Sequence, residues 1–202
     1  MPLTIETVPC NFVGDFKVGD NLVYNSVVLS DLAQNNDEGR FNKMMSLQAG
    51  SIVEASMAEI VFRAQHYNRE GVPNIVEADR QEIAGKKIDK FNNTIDVFRK
   101  YNMLNGMVGD IYDDLHVIRK FRNKVHIQDN INIAGVSRDE VVSFDRTRME
   151  WIINKSYDII IFLSENYSRP SGIAKFVGDL SLPHFEQCAT GQNVKRFVGS
   201  SI

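Results

Sequence analysis

"IYDDLHVIRKFRNKVHI", residues 111–127, decides how this chain is read. Advanced at about 100° per residue, Ile111, Leu115, Ile118, Phe121 and Val125 fall within one arc of roughly a third of the circumference. That arc is a core face, so the stretch is predicted to be a helix packed along one side. Arg122 stands at the edge of the arc. His126, Arg119, Tyr112, Asn123 and His116 follow along one flank, while Asp113, Lys120 and Lys124 take the far side. Arg119 to Arg122 is i,i+3, Arg122 to His126 is i,i+4 and Arg119 to His126 is i,i+7, all same-face separations on a helix. Two guanidinium groups and one imidazole are therefore expected to converge at the rim of the core. Guanidinium forks bind phosphate oxygens bidentately and stay charged, whereas imidazole titrates near neutrality and can take or give a proton. The trio suits phosphodiester chemistry and asks for no metal. It has a structural use as well, since basic groups near a helix C-terminus complement the macrodipole and an arginine on a core rim pairs with a carboxylate.

Working outward, residues 37–68 contain no proline and place Val53, Met57, Ile60 and Ala64 at helical spacing, which predicts one long helix. Gly71 and Pro73 break it. Residues 77–104 repeat the pattern with Ile88, Phe91, Ile95 and Phe98, and Asp110 is placed to cap the motif helix. After the loop "QDNINIAGVS", Ser137 and Glu140 form a capping box for a last long helix running to Tyr167. Four helices with short connections predict an all-α fold, an antiparallel four-helix-type bundle over residues 37–168. Residues 1–36 read as an irregular lead-in, with strand-like alternation in "PLTIETV" and a short helix in "LVYNSVVLSDLAQ". Residues 169–202 read as a loosely structured tail punctuated by Pro170, Gly172, Gly178, Pro183, Gly191 and Gly199.

A chain of 202 residues supports one substantial core. With 43% hydrophobic and 24% charged residues it has the balance of a soluble globular protein. Its two cysteines, Cys10 and Cys188, form no CxxC pair and no Cys/His cluster, which fits a reducing compartment and no metal. The start carries no basic n-region leading into an apolar one, and the longest apolar run, "IIIFL" at 159–163, is too short for a bilayer. A cytoplasmic protein with no membrane partner and no cofactor is expected. A net charge of -3 and a pI near 5.8 argue against an extended basic face, so any RNA contact has to be local.

"LHVIRKFRNKVHIQ", residues 115–128, resembles the signature of the HEPN superfamily, in which an arginine, usually followed by a polar residue, is separated from a histidine by four to six intervening residues near the end of a bundle helix. Arg122 and Asn123 match the Arg-polar pair with three residues before His126, and Arg119 has six residues before His126 but is followed by Lys120. The resemblance implies an all-α bundle that pairs with itself, bringing two motif helices together as a homodimer. It implies a metal-independent endoribonuclease of toxin or phage-defence type. In that role His126 would be the general acid/base, Arg122 or Arg119 the phosphate ligand and Asn123 an orienting hydrogen bonder. Glu54, one step off the Val53/Met57 face, is the expected carboxylate for the arginine, with His116 and Tyr112 lining the same flank. The competing readings are a catalytically inactive HEPN-like module that binds an antitoxin, another protein or a nucleotide, and a plain helical scaffold. His66 and His184 stand alone in sequence, and Trp151 is expected to pack in the bundle or at a dimer contact.

Overall fold

The alternation in "LTIETV" does form a strand, β1 (Leu3–Val8). Asp15 then starts a helix by accepting hydrogen bonds from the backbone N–H groups of Lys17 and Val18, and α1 (Phe16–Gln34) follows. In this computed structural model residues 2–66, 71–126, 137–170 and 177–186 are described. A 3-10 turn (Asp37–Gly39) leads into α2 (Asn42–His66), then α3 (Glu77–Ala84), α4 (Phe91–Lys100) and α5 (Ile111–Asn123). The four-residue α6 (Glu140–Ser143), α7 (Arg146–Asn166) and strand β2 (Leu180–Phe185) complete the order. The protein is mostly helical, with one two-stranded sheet.

That sheet corrects the all-α expectation. β1 and β2 pair antiparallel with Leu3 opposite Phe185 and Val8 opposite Leu180, so the expected lead-in and part of the expected tail close on each other. Pro183 reads as a breaker, but a proline costs little in an edge strand because its missing N–H has no ladder partner to lose. Asn154 of α7 holds the end of β2 from the side: its amide donates to Phe185 O (2.9 Å) and accepts from Phe185 N–H (2.7 Å). The rest of the expected tail from residue 187 onward lies outside the described residues.

α2 is the central element, lying against α1, α3, α4, α5 and α7. One buried stripe was expected on it, whereas buried residues surround it, among them Met45, Ala49, Ile52, Val53, Met57, Ile60 and Val61. Small residues make this possible. A Cβ added at Gly50 would lie 2.9 Å from the Cβ of Arg122, so glycine there lets α5 approach α2 closely.

Two long helices expected from periodicity are each divided. Residues 77–104 break after Ala84, where Gly85 caps α3 and the charged "KKIDK" run has no apolar face to continue. The last helix breaks at Phe144, whose ring packs edge-on against Phe121 with centroids 5.5 Å apart. Asp145 rather than Ser137 caps α7, accepting from Arg148 N–H at 2.8 Å, and Asp139 caps α6 through Val141 N–H at 2.9 Å. Buried aromatic packing thus overrides helical period at residue 144, and each new start is supplied by its own aspartate.

Candidate functional site

α5 follows the predicted wheel up to its end: Ile111, Leu115, Ile118 and Phe121 are buried. The helix stops at Asn123, earlier than expected, and Val125 is 52% exposed rather than in the core. The cause is Lys124. Expected on the solvent side, it is buried, and its ammonium donates to Ser137 O (3.2 Å) and Ser143 Oγ (3.3 Å). Drawing that side chain inward takes the backbone out of the helix, so His126 lies past the helical register and is exposed. The i,i+4 relation between Arg122 and His126 therefore does not set their separation.

Arg122 leans the other way, onto α2. Its Nη2 forms an ion pair with the Glu54 carboxylate, and its Nη1 donates to Asn123 Oδ1 at 3.0 Å. The backbone N–H of Phe91, the first residue of α4, favours the charged Glu54 carboxylate, and Lys90 offers α4 no side-chain cap. One carboxylate on α2 thus holds the arginine of α5 and faces the start of α4. Burial pushes the Glu54 carboxyl above its ordinary range, opposed by the Arg122 charge and the Phe91 N–H.

Arg119 is differently placed. Its Nε is buried with no hydrogen-bond partner, and the guanidinium makes no ion pair among the described residues. One turn earlier, His116 Nδ1 is likewise buried without a partner. Burial, together with the charges of Arg119 and Arg99, lowers the His116 pKa, which favours the neutral imidazole. Tyr112 belongs to the α4–α5 connection: its hydroxyl accepts from Leu104 N–H and lies 3.1 Å from both Phe98 O and Asn105 Oδ1. The structure brings Glu54, Arg122 and Asn123 into one linked group. Arg119 with His116 forms a separate pair, while Tyr112 secures the helix start and His126 stands outside on the following turn.

Sequence reasoning missed two features. His184 is not alone: its Nε2 lies 3.0 Å from Glu6 Oε1 and its ring stacks on Tyr157 at 4.5 Å. His66 packs against Phe62 with centroids 4.3 Å apart. The second feature is a cleft of about 850 Å³ between the turn after α1 and the start of α7, with Phe144 in its wall. Neither had a local signal, because the partners come from opposite ends of the chain. Cys10 is a free thiol that burial pushes up to about 12, which removes it as a nucleophile. Among the described residues no helix is long and apolar enough to cross a membrane. The chain matches no family model, no curated protein and no solved structure.

Proposed function

We propose that the chain is a HEPN-like protein, a bundle of α2, α4, α5 and α7, acting as a metal-independent endoribonuclease of toxin or phage-defence type. The observation that carries this reading is the division of labour between the two arginines. Arg122 is committed to Glu54, while Arg119 keeps a guanidinium without a carboxylate, separated by six residues from an exposed His126. Arg119 is then the phosphate ligand, and Arg122 with Asn123 positions the end of α5. His126 removes the proton of an RNA 2′-hydroxyl, and the 2′-oxygen attacks the adjacent phosphorus. The bond to the 5′-oxygen breaks, that oxygen takes a proton from a second imidazole, and a 2′,3′-cyclic phosphate remains. A homodimer supplies the second imidazole, with both copies of the motif turn facing one groove.

The early end of α5 favours a second reading, a catalytically inactive HEPN-like module that binds an antitoxin or another protein, because reactive geometry tolerates little displacement. The test is incubation with a mixed RNA pool in excess EDTA, with product ends analysed. On the first reading the parent cuts to cyclic-phosphate ends. Arg119→Ala and His126→Ala abolish cutting without loss of stability, whereas Arg122→Ala loses both. No cutting by a well-folded dimer supports the second reading.

A further inference from the structure

The cleft between α1 and α7 is separate from the α5 arginines and has the build of a small-molecule site. Its volume of about 850 Å³ is within the range that encloses a ligand of drug-like size. The buried side chains of Ala33, Phe144 and Met149 make apolar parts of its lining. The cleft is also held open. Asn36 Oδ1 accepts from Phe41 N–H (2.8 Å), Asn36 Nδ2 donates to Asn42 Oδ1 (2.8 Å), and Asn42 Nδ2 donates to Phe144 O (2.9 Å). This relay of amides ties the α2 wall to the α7 wall, so little ordering is left for a ligand to induce.

The charges of the lining narrow the ligand. Lys43 is bonded to Glu140 at 2.6 Å, Arg146 Nε to Glu150 at 2.8 Å, and Asp145 is held by Arg148 at 3.0 Å. Arg40 is exposed, lies on the turn that Glu38 and Gly39 make at positive φ, and has no ion pair among the described residues. With Glu38 also lining the cleft outside any ion pair among the described residues, and the Arg40 guanidinium lying 5.4 Å over the Phe41 ring, the charges of the lining balance and offer no field for a polyanion such as RNA or a nucleoside triphosphate. The exposed Arg40 guanidinium suits a single negative charge carried on an apolar body.

We propose that this cleft binds a small amphiphilic monocarboxylate, an aliphatic or aromatic acid, with its carboxylate on Arg40 and its apolar body against Phe144 and Met149. Guanidinium and carboxylate meet as a bidentate pair, and the apolar part gains burial it lacks in water. The site stands independently of the reading of α5 as a nuclease.

The test is thermal-shift and calorimetric titration of the full chain with octanoate, phenylacetate, octanamide and adenosine monophosphate. Saturable millimolar binding of octanoate or phenylacetate is expected, with octanamide weaker. Arg40→Glu should weaken the acid at least about fivefold and Arg40→Lys much less, since Arg40 supplies one charge-assisted contact. Arg40 is at the surface, so far-UV circular dichroism of both variants should match the parent. No saturable binding of either acid overturns the proposal. So does binding that Arg40→Glu leaves unchanged, or preference for adenosine monophosphate over both acids.

Discussion

Replacing Glu54 tests whether one carboxylate joins α2, α4 and α5. At contact distance a pair of unit charges is worth about 4 kcal/mol at an effective dielectric of roughly 20. Two effects reduce this. Burial of Glu54 works against its charged form, and the Arg122 side chain is 36% exposed, so solvent screens the pair. About 1 kcal/mol remains for the ion pair, and the attraction of the Phe91 N–H adds up to about 1 kcal/mol more. Glu54→Ala also gives up buried methylenes, bringing the expected loss to about 2–3 kcal/mol. For a chain of this length that is a fall in Tm of about 4–10 °C. Glu54→Gln keeps the shape and the hydrogen bonds while removing a buried charge, so it should stay within about 1 kcal/mol of the parent. Urea denaturation followed by Trp151 fluorescence measures both. pH adds a second reading. The folded carboxyl is held above its ordinary value of 4.5, so the native state binds that proton more tightly than the unfolded chain. The parent should therefore gain stability relative to Glu54→Gln as pH falls through the range just above 4.5. A Glu54→Ala variant within about 0.5 kcal/mol of the parent would refute the link, since it would fall below the ion-pair contribution alone.

Gly50→Ala should cost about 1–2 kcal/mol net: the added methyl meets the Arg122 Cβ at 2.9 Å and forces α5 outward, and the better helix propensity of alanine offsets only part of this. Differential scanning calorimetry reads the cost, and a stabilised variant would show that α5 has room to move. Asn154→Ala removes both side-chain bonds to Phe185 and should cost about 1–3 kcal/mol, with amide exchange faster in β1 and β2 than in α2. Ser143→Ala leaves the buried Lys124 ammonium with only the Ser137 carbonyl and should cost about 1–2 kcal/mol by urea denaturation; an unchanged midpoint would mean Lys124 does not fix the end of α5.

The sequence was most informative where burial is one-sided and local. The core face of α5 through Phe121 followed from spacing alone, and Glu54 was legible as the partner of Arg122 because it stands one step off a buried face. What spacing does not encode is a contact that competes with the helix from outside it. Lys124 leaves the wheel for acceptors 13 and 19 residues further on, and no periodicity in residues 111–127 contains those acceptors. The sheet was hidden for the same reason: its strands of six residues each come from the two ends of the chain, and pairing register is a property of both together. α2 erred in the other direction. A helix buried on several faces loses its amphipathic stripe, so its apolar period looks weaker the more central it is.

The two arginines show how positions that are equivalent on a bare wheel separate once packing is known. On a bare wheel Arg119 and Arg122 are equivalent, three residues apart on one flank. In the fold, Gly50 brings the backbone of α2 so close to Arg122 that its guanidinium can reach Glu54. That commitment makes Arg122 a crosslink whose charge is already matched. Arg119, one turn back, has no carboxylate partner among the described residues, and Asp113 on the same helix is taken by Arg99 at 2.6 Å. An uncompensated, half-buried guanidinium is costly to keep unless something binds it. On the fold's own energetics, then, Arg122 is where the helix gains most, while Arg119 adds no ion pair among the described residues.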